Sequence, residues 1–117
     1  MAITSEIIGK LGGAEVESMP VSGTASGGTD SVEVIATIEV PAGETWLIAV
    51  IGEINANSTV ASSVPELILG SIRTRRTPYF DQMTIAGVHT GVVELSILRR
   101  NSSGSDSFTG HVYTVKM

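Results

Sequence analysis

Ten residues, Thr45–Ile54 (TWLIAVIGEI), constrain the fold more than any other stretch of this chain. Successive side chains of an extended backbone point to opposite faces. Trp46, Ile48, Val50 and Ile54 therefore share one face, and Leu47, Ala49 and Ile51 share the other. A strand apolar on both faces needs cover on both, so part of that cover is expected from a second copy of the protein. Trp46, Ile48 and Val50 are predicted core residues.

The preceding run, SVEVIATIEV, alternates cleanly: Val32, Val34, Ala36, Ile38 and Val40 are predicted to face the interior, with Glu33, Thr37 and Glu39 on the wet side. Between the two runs, Pro41 pre-sets φ and Gly43 tolerates positive φ, so PAGE reads as a tight reversal. Further strands are predicted over Pro65–Arg73, Gln82–Val88, Val92–Arg99 and Phe108–Lys116, and VHTGVV carries a hairpin signal at Gly91. Aromatic residues make up only 4% of the chain, so β-branched residues and Leu must fill the core, which favours strands over helices. Several short strands separated by Gly/Ser/Thr clusters predict an all-β, antiparallel β-sandwich or jelly-roll-like barrel. At 117 residues there is room for one hydrophobic core.

Residues 1–30 read differently from residues 31–117, which form the predicted sandwich. TSEIIGKL suits a helical turn or a short strand, and the segment after it is rich in Gly and Ser. Pro20 cannot donate to a ladder, so this region is at best an edge strand. It is either a frayed terminus or an extended N-terminal arm laid on a neighbouring subunit, with Ile3, Ile7, Ile8 and Leu11 as apolar anchors.

Residues that do chemistry are sparse. His89 and His111 lack partners at metal-ligand spacing and read as a turn residue and a strand residue. No GxSxG elbow, phosphate-cradling loop or EF-hand run occurs, and Glu33, Glu39 and Glu94 alternate with apolar residues as solvated sheet positions do. There is no cysteine and no apolar run long enough to span a bilayer as a helix. The N-terminus lacks the pattern of a signal peptide, so assembly in a cytoplasm is expected. The expectation is a protein with no catalytic residue, no metal and no cofactor.

Charge is uneven along the chain. Residues 1–66 hold nine acids and one Lys, or −8, whereas residues 67–117 hold three acids and six Lys/Arg, or +3, giving the net −5. Arg73, Arg75 and Arg76, followed by Tyr79 and Phe80, form the main basic cluster. It suits a solvated loop or contact with an acidic protein surface better than nucleic acid, which is not expected as a direct partner.

Val40, Pro41, Ala42, Gly43, then Thr45 and Trp46 ahead of an apolar strand, together with the closing GHVYTVKM, resemble the jelly-roll-like head decoration (cement) proteins and related minor virion proteins of tailed bacteriophages. That resemblance implies a homo-oligomer, commonly a trimer, which sits on the capsid exterior, bridges the major capsid protein and is assembled in the host cytoplasm. It implies shell docking through Ile3, Ile7 and Ile8, and contact of Arg73, Arg75 and Arg76 with an acidic capsid patch. The family has no catalytic residues to carry over. One alternative is a tail or baseplate sandwich acting as an adaptor or binding host glycan, with Tyr79 and Phe80 lining a shallow groove. The other is a small barrel enzyme with converging His and carboxylates.

Overall fold

The computed structural model describes residues 16–56, 64–75, 82–101 and 104–117. Among them are eight strands: β1 (Val16–Ala25), β2 (Val32–Glu39), β3 (Trp46–Asn55), β4 (Glu66–Leu69), β5 (Ile72–Arg75), β6 (Gln82–His89), β7 (Val92–Leu98) and β8 (Asp106–Lys116). Two four-stranded sheets result, ordered β1-β8-β3-β6 and β2-β7-β4-β5. All pairings are antiparallel, and β1 lies on β8, β2 on β7, β3 on β6 and β4 on β5. The chain is one long hairpin rolled up, with β3–β8 and β4–β7 contacts sealing it into two sheets. This is the eight-stranded jelly roll.

Every connection except β4–β5 passes from one sheet to the other. Two sequence expectations change as a result. PAGE does turn tightly, with the Glu44 amide donating to the Pro41 carbonyl at 3.0 Å and Gly43 at φ +82°. Its flanking strands nevertheless join different sheets. VHTGVV is likewise a corner rather than a hairpin, because β6 pairs with β3 while β7 pairs with β2 and β4. The true hairpin lies inside the predicted strand Pro65–Arg73. Gly70 at φ +62° reverses the chain there and splits it into β4 and β5.

The core lies between the sheets. Ile48, Val50, Ile54, Phe108 and Val112 from the first sheet meet Leu67, Leu69, Leu95 and Ile97 from the second. Ile48 and Val50 are fully buried as predicted. Trp46 is not: it is half-buried at the margin and donates its indole N–H to Glu44 Oε1 at 2.9 Å. An indole with a polar tip gains from such a position, where the ring is covered and the N–H finds an acceptor.

β2 also departs from the predicted alternation. The register with β7 slips between Val34 and Ala36, so Ile35 is the extra residue of a β-bulge. Ile35 packs against the core, whereas Val32 and Val34 turn outward and are 56% and 45% exposed. The cause lies on β1. A Cβ on Gly23 would sit 2.4 Å from Ile35 Cγ2. The missing side chain thus makes the room into which Ile35 closes the β1/β2 corner.

β1 shows that the sandwich reaches back at least to Val16 rather than beginning at Ser31. Val16–Ala25 pairs with β8 over ten residues as an edge strand, and Pro20 lies within it. The Gly-rich turn after β1 is tied down as well. Arg99 Nη1 donates to the Gly27 carbonyl at 2.6 Å, the Asp30 amide to the Arg99 carbonyl at 2.8 Å, and the Arg99 amide to the Ser31 carbonyl at 2.9 Å.

Candidate interaction surface

The two histidines do not converge. The register places His89 opposite Trp46 on the inner face of the first sheet, and His111 opposite Ile51 on its outer face. His89 Nε2 is buried without a hydrogen-bond partner among the described residues, beside Gly70 and Gly87. His111 lies exposed, its ring centroid 6.2 Å from that of Tyr113. Among the described residues no group of three His, Cys, Asp or Glu could hold a metal. No helix among the described residues is long and apolar enough to cross a membrane.

Charged groups gather instead at one end of the roll, around the β7–β8 turn. Arg99 and Asp106, both essentially solvent-free, pair at 3.0 Å. Beside them Arg100 donates to Asp30 at 2.5 Å and to Glu66 at 2.7 and 3.0 Å. Those bonds, Glu66 first and Asp30 second, raise Arg100 above its already basic value, so it stays cationic at any ordinary pH. Arg73 also reaches Glu66, at 3.3 Å. The network links the turn after β1, the start of β4, β5 and the end of β7 within one subunit. Arg73 is thus already engaged at home. Arg75 ends β5 at the surface. Arg76, Tyr79, Phe80, Ile3, Ile7, Ile8 and Leu11 lie outside the described residues.

The faces and edges of the roll are its distinctive surfaces. On the outer face of the first sheet, Val16, Val115, Leu47 and Val88 stand opposite one another across four strands. Ser18, Tyr113, Ala49 and Ala86 form the next row. Val88 is 55% exposed and Leu47 half-buried, whereas Val115, Tyr113 and Ala49 are already buried within the subunit, so these rows are open to solvent mainly at their β6 end. On the second sheet the bulge presents Val32 and Val34, with Val92 further along.

Edges differ in how they are blunted. β1 carries Pro20, β2 carries the bulge, and β5 is four residues long with two arginines. Each device hinders pairing with another chain. β6, QMTIAGVH, has no proline, no charged Lys, Arg, Asp or Glu, and no bulge. The exposed valines Val32, Val34, Val88 and Val92 and the unguarded β6 edge are the surfaces best suited to a neighbour. Between β1 and β2 there is also an apolar cleft of about 130 Å³, lined by Glu17, Met19, Ile38, Trp46, Val112 and Thr114.

Comparison with known proteins bears on the fold. No protein-family model matches this chain, and no curated protein matches it by sequence. Among solved structures it is similar to the VP2 subviral particle of infectious bursal disease virus, with a TM-score of 0.58 and 12% identity over 87% of this chain. The likeness is one of fold. This chain spans about a third of that protein's length, 32%.

Proposed function

We propose that this chain is a non-enzymatic structural subunit of a virion, and more specifically a decoration protein on the capsid exterior of a tailed bacteriophage. The observation that carries the reading is the roll itself. A jelly roll, similar in fold to a viral particle protein, leaves outward apolar rows with Val32, Val34, Val88 and Val92 open to solvent and one edge strand unguarded. Such a body adds binding energy to a closed shell by burying those rows between neighbours. Burial at about 25 cal/mol per Å², repeated over many identical contacts, stabilises the assembled state by mass action.

In this reading the subunits form a homo-oligomer, a trimer on the resemblance to cement proteins, and contact the major capsid protein. Light scattering coupled to size-exclusion chromatography tests the first part. A trimer has three times the chain mass of 12.2 kDa, and a monomer at tens of micromolar (about the range of weak, functional contacts) contradicts self-association. Sedimentation with purified capsid shells tests the second. Saturable binding at a fixed ratio is expected, and a chain that stays in the supernatant contradicts the decoration role.

A further inference from the structure

We propose that β6 is a contact strand between two copies of this chain, pairing antiparallel with the β6 of a second copy about a twofold axis at Ala86. The contact rests on the self-association proposed above and specifies one surface through which it occurs.

An edge strand leaves the backbone N–H and C=O groups of alternate residues without ladder partners, which makes it a template for another strand. The described residues have four such edges, β1, β6, β2 and β5, and three of them resist their own copy. Antiparallel self-pairing brings the two ends of a strand together. On β2 it would carry Glu33 towards the partner's Glu39 across a bulge, and on β5 it would set Arg73 against the partner's Arg75. Like charges directly opposite destabilise a ladder. β1 has Pro20 in its middle, with no N–H to donate. β6 meets none of these obstacles. Gln82–His89 holds no Lys, Arg, Asp or Glu and no proline, and its register with β3 is unbroken.

The same neutrality selects the occupant. An uncharged edge has no charge with which to choose a foreign strand. A second copy is complementary by symmetry, because wherever residue i meets j, residue j meets i. The strand is also formed in advance. It is ordered against β3 over eight residues, and Ile72 of β5 fills the space beneath Gly87, where a Cβ would lie 2.1 Å from Ile72 Cδ1. Little further chain entropy is lost on pairing.

Face and side-chain size set the register. Thr84, Ala86 and Val88 lie on the outer face and are exposed, while Met83 and Ile85 point inward and are buried. For the two sheets to join into one, outward residues must stand opposite outward residues. An axis at Ala86 achieves this and sets the smallest exposed side chain of the strand against itself. Val88, 55% exposed, then stands opposite the partner's Thr84, and no pair in that register sets like charges together.

A twofold contact gives an even number of chains, whether it acts alone or joins a pair of trimers. Light scattering on the unaltered chain should show an even number, and Ala86→Lys should halve the mass by placing two cations at the axis. Ala86→Glu should do the same, and mixing the two variants should restore the full mass, a rescue that misfolding cannot produce. The chain has no cysteine, so Ala86→Cys should close a disulfide between two copies on oxidation. Directly opposite Cα atoms lie about 4.5–5.5 Å apart, within the span of a disulfide. Ser22→Cys, exposed on β1 at the other edge of the same sheet, should not.

An unchanged mass for Ala86→Lys overturns the β6 contact, as does an Ala86→Cys chain that cross-links no faster than Ser22→Cys. If both charge variants lose the circular dichroism spectrum of the fold, the cysteine comparison decides alone. An unaltered chain with an odd number of subunits above one overturns the contact and leaves self-association standing. A monomeric unaltered chain overturns both proposals.

Discussion

Replacing Arg99 with methionine is expected to destabilise the fold by about 3–5 kcal/mol, the usual cost of removing one partner from a buried ion pair. Arg99 and Asp106 are 0% and 1% exposed at their side chains, so solvent cannot compensate Asp106 when the guanidinium is lost. The substitution also removes the donor to the Gly27 carbonyl, which frees the turn joining β1 to β2. A domain of this size has about 5–15 kcal/mol in total, so the melting temperature should fall by about 10–20 °C. Replacing both partners with apolar residues of similar volume should recover much of the loss, because no buried charge then remains. Thermal unfolding of the single and double variants measures this. Equal melting temperatures for R99M and the unaltered chain would mean that the pair does not hold the turn.

The second large effect is expected at Phe108. Its ring is solvent-free on the inner face of β8, between Gly23 of β1 and Ile54 of β3 in the register. Its Cζ lies where a Cβ on Gly52 would come within 2.6 Å, so the ring occupies space that β3 leaves by having no side chain there. Phe108→Ala should cost about 3–5 kcal/mol, near the upper end, because glycine neighbours cannot reach into the cavity. Phe108→Leu should cost less. Denaturant unfolding with an unchanged m-value would report this as a loss of stability alone. A cost below about 1 kcal/mol would show that the roll collapses around the site.

Much of this architecture was legible from two-residue periodicity. β3, β6, β7 and β8 lie within two residues of their predicted bounds, because their inward residues are apolar and their neighbours bury them. Ile48 and Val50 follow the same logic. The β4–β5 turn also carried a local signal, Gly70-Ser71, inside what reads as one strand.

Other features had no local signal. SVEVIATIEV is a partial exception: Ile35 breaks its alternation on the predicted wet side, but only the gap at Gly23 on another strand makes it a bulge that leaves Val32 and Val34 facing outward. Arg99 reads as the end of a strand and Asp106 as a loop charge, and a spacing of seven residues around a Gly/Ser turn gives no hint that both are buried. The sheet-crossing corners at PAGE and HTG look like hairpin turns because a tight turn fixes the reversal of the chain and not which partner the next strand finds.

Of the candidate contact residues, Arg73 was visible as a charge but not as a partner of Glu66, which lies on the adjacent strand. The cleft at Met19 depends on how two sheets diverge, which no one strand encodes. The aromatic at position 46 was recognisable as a packing residue. Its place at the margin of the core, with Glu44 as its acceptor, is a property of the finished corner.

Cryo-electron microscopy of virus particles produced from a genome encoding this chain addresses the central claim most directly. An eight-stranded roll seated on the outer surface of the shell, its apolar sheet face buried against a neighbouring subunit, is the predicted image. Particles that lack the chain, or that carry it as an isolated body touching no neighbour through either sheet face or β6, would contradict the account.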